Sequence, residues 1–206
     1  MAQTVWITGV GSLTNLGLGL DSLITATLKP RSRFLDVPQA WQQYSGAPAA
    51  FMSQLEESGE SVLSSYTTVS TDRATAMALA VAEQACHHAQ LKNVHKPEKA
   101  GVFWGTGMGG LHTIDASYHR QLVDKAPLRP MTVVKIMANA AAGQIALRYG
   151  FHGPNQTYSV ACASSAMAIG EAMWAIRTGR IDVAIVGGSE AMLAPVVMTA
   201  WGALGV

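Results

Sequence analysis

The chain contains only two cysteines, and Cys162 lies in the segment YSVACASSAMAIG at residues 158–170. An apolar run ends at this cysteine, and a stretch of small residues with helical character follows it. The thiolate is the reactive form of cysteine, and the free amides and dipole at the start of a helix favour that anion. A sharp strand-to-helix turn also exposes the side chain, and small neighbours permit such a turn. The pattern predicts a nucleophilic Cys162 whose backbone N–H can donate to an oxyanion.

Cysteine is also a small apolar residue that proteins commonly bury, and the sequence leaves this interpretation of Cys162 open. The second cysteine, Cys86, lies inside an alanine-rich run, and we expect it to be unreactive core. Two cysteines without metal-type spacing predict no disulfide framework. The first residues, MAQTVWITGV, lack the basic and apolar regions of a secretory signal, so we expect a reducing, cytoplasmic location.

A second candidate site is the glycine-rich GTGMGGL at residues 105–111. Glycines after a strand can bind phosphate through backbone amides, and residues 105–110 satisfy the loose G-x-G-x-x-G pattern. A dinucleotide-binding fold places that pattern after its first strand, with an acidic residue about 20 positions further on. This segment lies in the middle of the chain, so we predict a tight backbone turn or a close approach in preference to a nucleotide site.

The histidines lack the spacing and the neighbouring carboxylates of a zinc site. They are His87, His88, His95, His112, His119 and His152. His112 or His119 could partner a cysteine in space, which the sequence leaves open. Asn139 lies in an alanine-rich segment, where we expect a side-chain contact or an interhelical hydrogen bond.

Composition argues against two classes of partner. Of the 206 residues, 49% are hydrophobic and 13% are charged, and the net charge of +1 comes without a basic stripe, so we expect no nucleic-acid binding. The apolar segment 183–206 contains Glu190, two adjacent glycines and Pro195, which interrupt a membrane span. We expect a buried strand, a loop and a short helix there, and no membrane partner.

Apolar strands alternate with small-residue helices, which predicts an α/β protein whose sheet is covered on both faces. The predicted strands are residues 5–9, 101–105, 156–160 and 182–186. The predicted helices are residues 21–28, 73–91, 111–123, 132–149 and 164–178. Thr71 or Asp72 is the expected N-cap of the second helix, and Gly179 ends the last. Residues 30–65, with several prolines and glycines, predict a long surface excursion.

Four segments carry a resemblance to the β-ketoacyl-acyl carrier protein synthases of the thiolase-like superfamily. They are, in order along the chain, GTGMGGL, NAAAGQIALRYGFHGPNQTYS, VACASSAMAIG and DVAIVGGSEA. The resemblance covers nearly the whole chain and is weakest over residues 30–65. Thiolases and the initiating synthases have the cysteine nearer the start, so the chain is most similar to the type I and II elongating group. The resemblance implies a layered α/β/α thiolase-like fold, with residues 1–206 as its N-terminal domain, the first of two similar halves.

The resemblance also implies a two-step reaction. Cys162 would take an acyl chain from the phosphopantetheine of acyl carrier protein, and a malonyl thioester would then lose carbon dioxide and attack the acyl-cysteine. Met108 and Trp201 fall where the family lines its acyl pocket, although both are also ordinary core residue types. The chain would bind no cofactor of its own, because its substrates arrive on the phosphopantetheine of acyl carrier protein.

The family is considerably longer than this chain, and its two catalytic histidines and active-site lysine lie in a C-terminal half that the chain lacks. We therefore expect residues 1–206 alone to be inactive in condensation, and the apolar end TAWGALGV to continue into that half. Residues 156–160 are expected to form a sheet edge that a second subunit buries, in a homodimer or in a heterodimer with a related synthase subunit.

Two other functions stay open. A thiolase-like acyltransferase that uses coenzyme A would form the same acyl-cysteine from a different donor. A chain-length-factor-like or scaffold subunit would pair with an active synthase, but such subunits usually lack the nucleophile that Cys162 provides.

Overall fold

A computed structural model describes residues 4–29, 33–41 and 51–205. The strands are β1 (Leu13–Thr14), β2 (Gly17–Leu18), β3 (Leu35–Asp36), β4 (Phe51–Met52), β5 (Ala100–Gly105), β6 (Asn155–Tyr158) and β7 (Val183–Gly188). The α-helices are α1 (Leu20–Leu28), α2 (Glu57–Ser64), α3 (Arg73–His88), α4 (Leu111–Leu122), α5 (Thr132–Ile136), α6 (Ala140–Tyr149), α7 (Ser164–Arg177) and α8 (Pro195–Leu204). Short 3-10 turns occur at Gln39–Trp41 and Pro97–Lys99.

The central sheet is parallel, and β5 lies between β6 and β7. Gly105, the last residue of β5, is in register with both Tyr158 and Gly188, the last residues of its two neighbours. The carboxyl ends of all three strands are therefore level, and the loops that follow them leave the same edge of the sheet.

Helices cover both faces of this sheet. On one face α3 and α6 pack their alanines, with Ile145, against Val102, Trp104 and Ile185 of the strands. On the other face Phe103 packs with Ala168, Ala172 and Ala175 of α7 and with Ile181. The α/β class and the coverage of both faces are confirmed. Small helix residues are needed because they let the helix backbones lie close to the strands.

The predicted helix ends are also confirmed. The Asp72 carboxylate caps α3 by accepting from the Ala74 N–H at 2.9 Å, and it also accepts from the backbone N–H of Thr113 at 2.9 Å. Gly179 follows α7 with φ 72, a left-handed conformation that glycine adopts without steric cost.

The prediction of a buried strand at residues 5–9 is wrong. Trp6 and Ile7 are 78% and 85% exposed, and the chain runs along α3, where the Val10 N–H donates to His88 Nδ1 at 3.2 Å. An apolar pattern favours β structure but does not provide a partner strand, and the part of the sheet that the structure describes has none beside this segment.

The single helix predicted over residues 132–149 is two helices. The chain is extended at Met137 (ψ 132), between α5 and α6. Gly109 packs against this break, since a Cβ on Gly109 would lie 3.0 Å from Ala138 Cα. Helix propensity depends on residues that are close in sequence, so it could not reveal a break that lies against the distant glycine-rich segment at residues 105–111.

Part of the excursion predicted over residues 30–65 is ordered structure. Its described residues include β3, β4 and α2, and Val37 and Met52 form a small apolar cluster with Met198 of α8. Residues 30–32 and 42–50 of that prediction lie outside the described residues. The segment 183–206 is a strand, a loop and a short helix as predicted, apart from Val206, which is not described.

Candidate active site

Cys162 lies in the loop between β6 and α7, two residues before the first helical residue, Ser164, and its side chain is exposed. The preceding Ala161 has φ 50, a left-handed conformation that costs a non-glycine residue about 1 kcal/mol or more. The buried Ser164 hydroxyl holds this turn, because it accepts from the Val160 N–H at 2.9 Å and donates to the Ala161 carbonyl at 2.7 Å. The structure confirms the predicted turn, in which the chain passes from a strand through Cys162 into a helix.

Two glycines let α7 begin directly on the sheet edge. A Cβ on Gly105 would lie 2.4 Å from the Ser164 carbonyl carbon, and one on Gly188 would lie 2.0 Å from Ser165 Oγ. The Gly105 contact is with helix backbone, and a Cβ on Gly188 would also lie 2.8 Å from the Gly105 carbonyl oxygen, so neither side chain fits without movement of the backbone. The absence of side chains at the ends of β5 and β7 therefore determines where the helix start, and with it Cys162, can lie.

The glycine loop, residues 105–110, is the tight turn that the sequence predicts. The Gly107 N–H donates to Glu190 Oε2 at 2.6 Å, and Gly109, with φ 60, donates to Thr106 Oγ1 at 3.0 Å. Gly110 packs so closely that a Cβ there would lie 2.1 Å from the Lys135 carbonyl oxygen. The Gly107 N–H is hydrogen-bonded to the Glu190 carboxylate and is therefore not available to a phosphate. This argues against nucleotide binding by the glycine loop.

Met108 and Cys162 are brought to the same sheet edge. Met108 is 47% exposed in the glycine loop, and Ser159 Oγ donates to the Gly107 carbonyl at 3.3 Å, which joins that loop to the one with Cys162. Trp201 lies on α8, 36% exposed. The packing of Met198 of α8 on Val37 and Met52 involves neither Cys162 nor Met108. The substrate-binding roles of Met108 and Trp201 stay predictions.

The environment of Cys86 is the opposite of that of Cys162. Cys86 is buried in the core between α3 and α6. Burial raises the pKa of the Cys86 thiol, a hydrogen bond with Tyr149 opposes the rise, and the charge of Glu83 adds to it. A buried thiol that stays protonated is the unreactive core residue that the sequence predicts.

Other candidates do not contribute to this site. Among the described residues no three His, Cys, Asp or Glu side chains are grouped as metal ligands, and no helix there is long and apolar enough to cross a membrane. His119 lies 3.5 Å from Asp124, and His112 lines a separate groove of about 980 Å³ beside α4. Asn139 is the N-cap residue of α6 and makes no side-chain cap bond, so its predicted place inside a helix is wrong.

Sequence reasoning missed the polar side chains that tie the loops together. Thr106, Ser159, Ser164 and Glu190 form this network at the carboxyl edge. The one signal in the sequence is Glu190, a carboxylate two residues after a strand-ending glycine pair in an apolar segment.

An exposed cysteine on a left-handed turn between a parallel strand and a covering helix is a placement that nucleophilic side chains adopt in α/β proteins. A family model described as "Beta-ketoacyl synthase, N-terminal domain" matches residues 2–206. The chain belongs to the β-ketoacyl synthase family.

Relatives support this assignment. The chain is 32% identical over 206 residues to nodulation protein E of Rhizobium sp. (strain N33), which covers 99% of this chain and 51% of the relative. It is 38% identical over 123 residues to the 3-oxoacyl-[acyl-carrier-protein] synthase 2 of Staphylococcus aureus, which covers 58% of this chain and 30% of the relative. The chain thus spans about half the length, or less, of these curated relatives.

Solved structures share the fold. The ishigamide ketosynthase/chain length factor superposes with a TM-score of 0.84 at 20% identity and covers 100% of this chain and 52% of that chain. A ketosynthase described in complex with its type II polyketide synthase acyl-carrier protein superposes with a TM-score of 0.77 at 22% identity, over 98% and 55% of the two chains. The thiolase-like, layered α/β/α fold is confirmed.

Proposed function

We propose that Cys162 is the nucleophile of an acyltransferase that condenses an acyl chain with malonyl-acyl carrier protein in fatty acid or polyketide-type synthesis. The observation that supports this most directly is the exposed Cys162 on a strained turn at the carboxyl edge of the sheet. The names of two relatives support the substrate class, since one is a 3-oxoacyl-[acyl-carrier-protein] synthase and another a ketosynthase in complex with its acyl-carrier protein.

In the first step the Cys162 thiolate attacks the carbonyl carbon of an acyl-phosphopantetheine thioester. A tetrahedral oxyanion forms, and the Cys162 backbone N–H is our proposed donor to it. The carbon–sulfur bond to phosphopantetheine then breaks, the released thiolate takes a proton, and the acyl chain remains on Cys162.

In the second step malonyl-acyl carrier protein loses carbon dioxide, and the electrons of the broken bond form an enolate. The enolate carbon attacks the carbonyl carbon of acyl-Cys162, a carbon–carbon bond forms, and Cys162 leaves as the thiolate. Met108 and Trp201 are our proposed acyl-pocket residues. The histidines that stabilise the enolate are proposed to lie in the C-terminal half of a longer synthase.

The outer face of α7 supports the proposal of a longer synthase. The helix buries Ala168 and Ala172 against the sheet, whereas Met167, Ile169 and Trp174 on its other side are exposed. Contiguous large apolar side chains on one face are typical of a surface that another part of a protein covers. We propose that the C-terminal half of the synthase covers this face.

Acyl carrier protein and a second synthase subunit are the proposed partners, and the cytoplasm is the proposed location. The strand β6 pairs only with β5 among the described strands, so its outer edge is free to face another subunit. That subunit is a second copy or a chain-length-factor-like partner, as in the ishigamide ketosynthase/chain length factor.

Covalent labelling tests the nucleophile. We expect acyl-acyl carrier protein, or a cysteine-directed synthase inhibitor, to add one group to the full-length protein at Cys162, as located by peptide mass spectrometry. Cys162→Ala should lose the label, while the matched variant Cys86→Ala should keep it. Labelling at Cys86 alone, or at neither cysteine, would contradict the proposal.

The choice of donor separates the alternatives. Faster acylation of Cys162 from acyl carrier protein than from coenzyme A supports the synthase. Faster acylation from coenzyme A would favour a thiolase-like acyltransferase. An unacylated Cys162 with both donors would favour a scaffold or chain-length-factor-like subunit.

A further inference from the structure

Glu190 lies in the loop after β7, and its carboxylate is directed to the glycine loop. Glu190 Oε2 accepts from the Gly107 N–H at 2.6 Å, and Glu190 Oε1 accepts from Thr106 Oγ1 at 3.3 Å. A Cβ on Gly107 would lie 3.0 Å from Glu190 Oε2, so the loop backbone closely approaches the carboxylate. Among the described residues, no salt bridge involves Glu190. Its carboxylate accepts hydrogen bonds from Thr106 and Gly107 of the glycine loop.

The other side of the glycine loop is bound to the segment that contains Cys162. The Thr106 N–H donates to the Tyr158 carbonyl at 3.0 Å, and Ser164 Oγ lies 3.4 Å from the Thr106 carbonyl oxygen. The Ser159 hydroxyl donates to the Gly107 carbonyl. The glycine loop is thus held between Glu190 and the Cys162 turn, and Glu190 ties Thr106 and Gly107 to the segment that follows β7.

Met108 depends on this arrangement for its position. Its side chain is about half exposed, so packing does little to fix it, and the backbone bonds of Thr106, Gly107 and Gly109 determine where it lies. Glycines make the loop backbone permissive, so the loop has many alternative conformations once a hydrogen bond is lost.

We propose that Glu190 is a positioning residue that fixes the glycine loop against the Cys162 turn and thereby sets the length of acyl chain that Cys162 accepts. The inference rests on the proposed function of Cys162 as the acyl acceptor. Met108 is our proposed acyl-pocket residue, so on that proposal a long acyl chain on Cys162 makes more contact with it than a short one does. Displacement of the loop therefore affects long donors more than short ones.

The test compares acetyl- and decanoyl-acyl carrier protein as donors to Cys162 in the full-length protein, with a Glu190→Ala variant. We expect decanoyl transfer to slow about tenfold and acetyl transfer by less than about twofold, since small misplacements of bound groups have effects of this size. Glu190→Gln should restore most of the decanoyl rate, because its amide oxygen still accepts from the Gly107 N–H. The matched control is Glu98→Ala, an exposed carboxylate at the amino end of β5.

Hydrogen–deuterium exchange over residues 105–111 is the second readout. Glu190→Ala should exchange faster than wild type there, and Glu98→Ala should not. An equal loss of rate for both donors, without rescue by Glu190→Gln, would show a purely structural role and overturn the inference. Unchanged exchange in Glu190→Ala would also overturn it.

The same data separate this inference from the proposed function. If wild-type Cys162 takes no acyl group from either donor, the proposed function fails, and this inference fails with it. If wild-type Cys162 is acylated but Glu190→Ala keeps the wild-type ratio of the two rates, only the inference about Glu190 fails.

Discussion

At the scale of single residues, the two cysteines lie in opposite environments. Cys162 is exposed on a left-handed turn beside a helix start, while Cys86 is enclosed between α3 and α6. Burial among apolar side chains disfavours the thiolate of Cys86 and raises the pKa of its thiol.

The raised pKa of Cys86 predicts a pH-dependent stability. The unfolded thiol ionises near its ordinary pKa of about 8.5, whereas the folded protein keeps it protonated to higher pH. The stabilisation is therefore present below the unfolded pKa and is lost as pH rises toward the folded one. We expect the free energy of unfolding to fall as pH rises above about 8, by at most about 1.4 kcal/mol per pH unit for this group.

Urea unfolding at a series of pH values checks this. Cys86→Ala should show a shallower fall than wild type over the same range. Part of the fall should remain, because burial also raises the pKa of Tyr149, with the Cys86 and Glu83 charges adding to the rise. Identical slopes in the two proteins would contradict a buried, protonated Cys86.

At the scale of elements, the end of β5 and the start of α7 form one unit. Gly105 and Gly188 allow the first turn of α7 to touch the sheet edge, and Ser164 holds the turn before it. The contact between β5 and α7 positions Cys162. The loop between β6 and α7 does not by itself determine where this cysteine lies.

A pair of glycine substitutions tests this contact. Gly105→Ala should lower the free energy of unfolding by more than about 2 kcal/mol and slow labelling of Cys162, because the new Cβ would displace α7. Gly143→Ala, on α6 with open space around it, should instead raise the free energy of unfolding by roughly 0.5–1 kcal/mol. Chemical unfolding gives both values. Equal effects of the two substitutions would disprove the close approach.

At the scale of the whole molecule, the two helix layers differ in what they cover. The layer formed by α3 and α6 covers one face of the sheet, whereas α7 covers the other and leaves its own outer side exposed. An apolar stripe on both sides of one helix is typical of a helix buried between two layers.

Charge placed on this face tests whether it is covered in the full-length protein. Ile169 of α7 is 52% exposed in the described chain, and Leu147 of α6 is 79% exposed. We expect Ile169→Glu to lower the free energy of unfolding by more than about 2 kcal/mol, since burial of an unpaired charge is costly. Leu147→Glu should change it by less than about 0.5 kcal/mol. Soluble yield and urea unfolding measure both, and indistinguishable variants would mean that the α7 face stays open.

The sequence by itself determined the features that depend on neighbours along the chain. The cap at Asp72, the end of α7 at Gly179, the apolar strands β5 and β7 and the strand–cysteine–helix turn were all predictable. Each of these follows from local backbone preferences and from patterns of apolar residues. The identity of Cys162 as the candidate nucleophile belongs to this group, because the residues that permit its turn are its own neighbours.

Only the tertiary structure decided the features that depend on residues far apart in sequence. The break at Met137, the exposed course of residues 5–9 and the link from Glu190 to Gly107 each involve a partner, present or absent, that the local pattern does not specify. Composition could show Glu190 as an isolated charge in an apolar segment. Its hydrogen bonds appear only when parallel pairing of β5 and β7 brings residues 107 and 190 to the same edge of the sheet.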